Sequence, residues 1–310
     1  RGESAEVVGL FSRNPGVDVS VTPGLVFPRQ VVTATITTSG PIDRVTSATV
    51  GWGYTNFYRY HWAGHTDSAA AAMNDDLLLI GEVGTNYGGD RETDDWVNVT
   101  TAELPTATDE FTGGTAQFRV PSWAPPSSKD IARWSCRLRL ERDGRDVTQD
   151  GEFTVVIGRD DVDDIADPLE RYAGSGATGL DIVLPASVFA AGEVIRGHVD
   201  VVPSRDLPDG DLAVFYQRHR DSHPLTRRPC NTGPADGPIV QLNKRIPLRA
   251  GAPYSVPFEL PLPPDAVPTT AAVHSSISWS VGARLFYAGF SGPPTERVSR
   301  GIVVVSPPAG

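Results

Sequence analysis

The residues able to do chemistry are few, and their spacing is informative. His219 and His223 stand four apart, and His61 and His65 repeat that spacing earlier in the chain. On a helix such a pair can hold zinc. Here His219 follows Leu212-Ala213-Val214-Phe215-Tyr216, a strand pattern, and His223 precedes Pro224. Glutamate is missing from the motif, so the histidines read as polar groups at strand ends and no metal site is assigned. Asp94-Asp95 beside Trp96 offers two carboxylates and an aromatic platform, as in carbohydrate-cleaving sites. Adjacent residues on a strand face opposite ways, which disfavours joint acid–base work.

The cysteines, Cys136 and Cys230, are far apart and read as a reduced pair. Cys136 sits in an alternating segment beside Trp134 and Arg137, which favours a structural thiol over a nucleophile. No Gly-Lys-Ser/Thr motif follows a glycine run, and Gly174-Ser175-Gly176 is too compact for a nucleophile elbow. The aspartates from Asp160 suggest a calcium loop, but Ile165 and Arg171 stand where that loop needs glycine and glutamate. The reading is therefore non-enzymatic, with no cofactor.

The most distinctive segment is Trp52–Trp62, with six aromatics in eleven positions. That exceeds what one buried strand face can hold. Tyr54, Phe57, Tyr58, Arg59, Tyr60 and Trp62 are the candidate partner-binding residues, since aromatics and arginine are enriched in binding hot spots. The competing reading has an Ala-rich helix over Ser68–Ile80 covering them as a local core.

These residues must be positioned by strands. Val17–Val21 and Val31–Thr38 alternate with period two, as do Gln117–Val120, Trp134–Leu140, Phe153–Ile157, Ile195–Val201, Ile277–Leu285 and Ile302–Val305. Glycine (31) and proline (27) punctuate them. Many short strands with such turns predict an all-β sandwich class. The chain has 310 residues, enough for about two domains. Its charge of -11 argues against nucleic acid, and no apolar run is long enough to cross a bilayer. No charged-then-apolar leader is visible, which points to a cytoplasmic protein.

An internal duplication organises the strands. Val17-Asp18-Val19 recurs as Leu180-Asp181-Ile182, and Phe27 before one strand as Phe189 before another. Phe118-Arg119-Val120-Pro121 recurs as Phe258-Glu259-Leu260-Pro261, and the Trp134 strand as the Trp279 strand. The order is kept throughout. This predicts two copies of one immunoglobulin-like β-sandwich, at 1–158 and 177–310, joined by an acidic linker at 159–176, with the short helix inserted in the first.

The second half carries Val188-Phe189-Ala190-Ala191-Gly192-Glu193-Val194-Ile195-Arg196-Gly197-His198-Val199, then Phe258-Glu259-Leu260-Pro261-Leu262-Pro263-Pro264, then His274-Ser275-Ser276-Ile277-Ser278-Trp279. These motifs resemble arrestin-like proteins, closest to the bacterial sporulation-control branch. The first half departs from the pattern: Gln30 replaces the turn glycine, and Trp134 lacks the His-Ser-Ser lead-in. The resemblance implies an adaptor or scaffold that binds protein partners through exposed sheet edges, the interdomain groove or the aromatic segment. Edge strands need protection, and a homodimer is one way to provide it. The alternative expectation is a carbohydrate-binding or hydrolytic protein using first-domain loops around Asp94, Asp95 and Trp96.

Overall fold

A computed structural model describes residues 16–62, 89–107, 109–163, 170–230, 235–289 and 295–307. The helix expected over Ser68–Ile80 lies outside these residues, as does His65. The described chain is nearly all β. In order the strands are β1 (Val17–Thr22), β2 (Leu25–Val26), β3 (Val31–Asp43), β4 (Val45–Trp62), β5 (Gly89–Glu103), β6 (Glu110–Arg119), β7 (Ala132–Arg142), β8 (Val147–Val155) and β9 (Glu170–Ala173). There follow β10 (Thr178–Val183), β11 (Val188–Ala190), β12 (Val194–Pro203), β13 (Gly210–Ser222), β14 (Ala235–Asp236), β15 (Val240–Ile246), β16 (Tyr254–Pro261), β17 (Thr270–Ala271), β18 (Ser275–Tyr287) and β19 (Glu296–Val305). One 3-10 turn spans Arg159–Asp161.

The strand order is repeated. One three-stranded sheet runs β1-β3-β6 and another β10-β12-β16. A larger sheet runs β2-β8-β7-β4-β5; its counterpart runs β11-β19-β18-β13, with β14 and β15 both pairing β13. In each set the short second strand is parallel to the last one, β2 to β8 and β11 to β19. Val17-Asp18-Val19 and Leu180-Asp181-Ile182 occupy β1 and β10; Trp134 and Trp279 occupy β7 and β18.

The chain divides into two compact units that are discontinuous in sequence. The first is Arg1–Thr55, Trp96–Ser122 and Arg133–Val155; the second is Asn56–Asp95, Trp123–Ala132 and Val156–Gly310. The dividing positions fall inside β4 and β5, so their tips group with the second unit. This differs from a contiguous split near the acidic segment.

In the first unit, alternate residues of β1 and β3 are buried, as the period-two pattern requires. Val19 and Val21 lie over Gly151 of β8, where an added Cβ would come within 3.0 Å of their side chains. Trp52, Phe118, Trp134 and Phe153 form the aromatic core, with Trp52 stacked on Phe118 at 5.3 Å. Fully burying such side chains is worth roughly 1.5–3 kcal/mol each. In the second unit, Trp279 packs on Tyr216 at 5.6 Å and its indole N–H donates to the Val267 carbonyl at 2.9 Å.

The segment read as an acidic linker is in good part built into the second unit. Ile157 is buried with Val188 and Val305. The Arg159 guanidinium donates to the Val188 carbonyl and the Glu193 carboxylate. Glu170–Ala173 is strand β9, paired with β19. Its four side chains are exposed, so it carries no alternation for the sequence to show.

Candidate functional site

The aromatic segment falls on β4, and the second unit holds its tip from Asn56 onward. Asn56 is fully buried. Its Nδ2 donates to the Ile131 carbonyl and to Ser275 Oγ, both at 2.8 Å. Its Oδ1 accepts the His274 N–H at 2.7 Å. Ser275 Oγ in turn donates to the Phe57 carbonyl at 2.7 Å. Ser222 Oγ accepts the Arg59 N–H at 3.0 Å. A buried amide with every polar group matched is stabilising; with one partner gone it is costly. The His-Ser-Ser motif and the aromatic segment, separately distinctive in sequence, are thus bonded to each other. Asn56 escaped the sequence reading, and its one signal was a lone carboxamide amid aromatic and apolar residues.

The side chains around this clamp are mutually engaged. The Tyr58 ring is buried 4.8 Å from His274, and its hydroxyl donates to Asp95 at 2.5 Å. Burial, reinforced by the Asp95 carboxylate, pushes the phenol up to about 12. The Arg59 guanidinium pairs with Glu92 at 2.9 Å, and Arg220 reaches the same carboxylate at 3.3 Å. The Arg59 hydrogen bond holds Glu92 below the ordinary carboxylate range. The Arg227 guanidinium lies 4.6 Å over the Tyr60 ring. His61 Nδ1 is 3.2 Å from Asp90. The Asp90 carboxyl is lowered by hydrogen bonds from the Cys230 thiol first and from His61 second.

Of the candidate partner-binding residues, Tyr54 and Tyr58 are buried, at 1% and 2% exposure. Tyr54 packs 5.0 Å from Trp134 in the first unit's core, so neither ring is presented to a partner. Phe57, Arg59 and Tyr60 are half-buried. Trp62 ends β4, and its side chain is outside the described set. The correction is physical: a strand alternates, and β4 turns Tyr54 and Tyr58 inward on one face.

Asp94 and Asp95 point apart. Asp95 bonds Tyr58, whereas Asp94 lines a cavity of about 190 Å³ with Phe57, Glu92, Lys129, Asp130 and Arg220. That volume falls below the ~300 Å³ where ligand pockets begin. Trp96 lies beneath the Arg137 guanidinium at 4.3 Å, so its ring is not an open sugar platform. His219 and His223 lie on and just after β13, and no group of three metal-ligating side chains is found among the described residues. Both cysteines are buried and free, with burial raising each thiol to about 11. A thiol so protonated is a poor nucleophile near neutral pH.

Strand β5 offers more. Among the described residues β5 pairs only with β4. The Leu104 N–H, just past its end, donates to the Ala48 carbonyl of β4 at 2.9 Å. Strand periodicity then sends the N–H group of Thr101 to the opposite edge, whereas the Val97 carbonyl turns toward Gly53 of β4. The stretch Trp96–Ala102 carries no charge and no proline. Comparison with protein-family models and with curated proteins returned no match. No helix among the described residues is long and apolar enough to cross a membrane.

Proposed function

We propose that this chain is a non-enzymatic intracellular adaptor of arrestin-like build that captures protein partners by strand addition along β5. The observation that carries the reading is the uncharged stretch Trp96–Ala102 on a 15-residue edge strand. Such an edge is a template for another backbone, and soluble proteins ordinarily blunt it with lysine, proline or a bulge. Main-chain hydrogen bonds would supply affinity, and the alternating side chains specificity.

The test replaces Thr101 with proline. The substitution deletes an edge N–H and leaves the ladder to β4 intact. Proteins that co-purify from the native host with the unaltered chain and with Thr100→Ala should be lost with Thr101→Pro. The same partners on a Thr101→Pro chain of unchanged melting temperature would overturn the reading.

A further inference from the structure

A second surface lies in the other unit and is independent of β5. Strands β9, β19, β18 and β13 floor a groove of about 920 Å³, within the range of ligand sites. Register places small and hydroxyl residues side by side across it. Phe215 stands opposite Gly282, Gly282 opposite Ser299, and Ser299 opposite Arg171. Gln217 stands opposite Ser280, and Ser280 opposite Gly301. Gly282 is required: an added Cβ would sit 2.6 Å from the Phe215 ring, which lies across that floor.

One end of this face is cationic. Arg284 of β18 and Arg297 of β19 are directly opposite each other. Both guanidiniums lie against Phe215, at 5.6 and 5.1 Å. Arg171 projects from β9 on the same face. Among the described residues none of these three has a carboxylate within salt-bridge reach. Like charges directly opposite on neighbouring strands are destabilising. Arg284 Nε and Ser280 Oγ are enclosed without a hydrogen-bond partner. Asp221 lines the groove toward the end of β13, and Asp211, opposite Phe286 at the start of β13, lies on the same face.

The geometry points to an anion-seeking groove whose occupant is an extended acidic peptide segment of a partner protein. Guanidiniums bind carboxylates through two parallel hydrogen bonds, and the floor serines donate between them. Stacking on Phe215 holds two of the forks in place before the ligand arrives, which lowers the ordering cost. Four strands spaced about 4.8 Å apart span roughly 14 Å, the reach of about four extended residues. A carboxylate on alternate residues would meet successive arginines.

The experiment is fluorescence anisotropy of the full chain with a labelled octapeptide alternating Glu and Ser, beside its Gln-Ser counterpart. The Glu peptide should bind at least about tenfold tighter, and Arg284→Gln or Arg297→Gln should each weaken it about tenfold. Arg196→Gln, on β12, should leave it unchanged. The Arg284→Gln chain should melt no lower than the parent, since the like-charge opposition is relieved. Equal binding by Arg297→Gln and parent, or equal loss with Arg196→Gln, would overturn the assignment. So would arginine-dependent binding of anionic vesicles or self-association without any peptide binding.

Discussion

Asn56 and Ser275, 219 residues apart, form a buried side-chain hydrogen bond at 2.8 Å. Each also holds a backbone group of the other's segment: Asn56 the His274 N–H and Ser275 the Phe57 carbonyl. Asn56→Ala therefore strands the His274 N–H and takes one donor each from Ser275 Oγ and the Ile131 carbonyl, which keep only their bonds to the Phe57 carbonyl and the Phe57 N–H. The expected loss is about 2–4 kcal/mol, read as a lowered urea midpoint at unchanged slope. A loss under about 0.5 kcal/mol would show that the amide is dispensable.

Glu296 predicts a specific acid response. It is fully buried in the second unit and accepts from the Ser175, Tyr172 and Tyr287 hydroxyls and from the Gly176 and Ala177 N–H groups. Burial opposes the charge, but these donors prevail and hold the carboxyl below its ordinary value of 4.5. The native state thus binds the proton less readily than the unfolded chain. The stabilisation is complete above the ordinary value and is lost as pH falls through the native one. Glu296→Gln should lower stability near neutral pH by roughly 2–4 kcal/mol and flatten the acid limb of a melting-temperature profile. A variant that keeps the parent's acid limb would refute this.

The thiols should label slowly. Both are raised to about 11, Cys230 by burial and then by its bond to Asp90. Iodoacetamide alkylation of the native chain should be far slower than of the urea-unfolded chain near neutral pH. Asp90→Asn removes the adjacent charge and should speed Cys230 several-fold while leaving Cys136 unchanged. Equal acceleration of both thiols would mean general loosening instead.

The Tyr58 phenol, pushed up to about 12, gives a spectroscopic check. Its ionisation should be missing from a native ultraviolet titration through pH 10. Asp95→Asn should lower it, because the charge that opposes the phenolate is gone. An unaltered titration in Asp95→Asn would break the proposed pairing.

The sandwich class was legible because β1, β3, β7 and β18 each carry one buried face, which writes period two into the chain. Strand β9 was not legible, because its four side chains are exposed and show no alternation of buried and exposed positions. The start of β5, Asp90-Arg91-Glu92-Thr93-Asp94-Asp95, has no apolar alternation to mark a strand; Glu92, Asp90 and Asp95 are engaged by Arg59, His61 and Tyr58 on β4. Tyr54 and Tyr58 were expected at a surface because composition counts aromatics but not their direction. The Asn56–Ser275 bond was beyond reach, since no local pattern encodes contact across such a separation.

The parallel pairings β2 with β8 and β11 with β19 carry a consequence for synthesis. Each joins a strand made early in its sheet set to the last strand made, Val26 to Val155 and Phe189 to Val304. Neither set can close while its final strand is still in the ribosome. Contacts this distant in sequence slow folding, and until closure the next strands inward, β7 and β18, present raw edges. A nascent chain stalled before Val147 or before Glu296 would therefore be the species most in need of a chaperone.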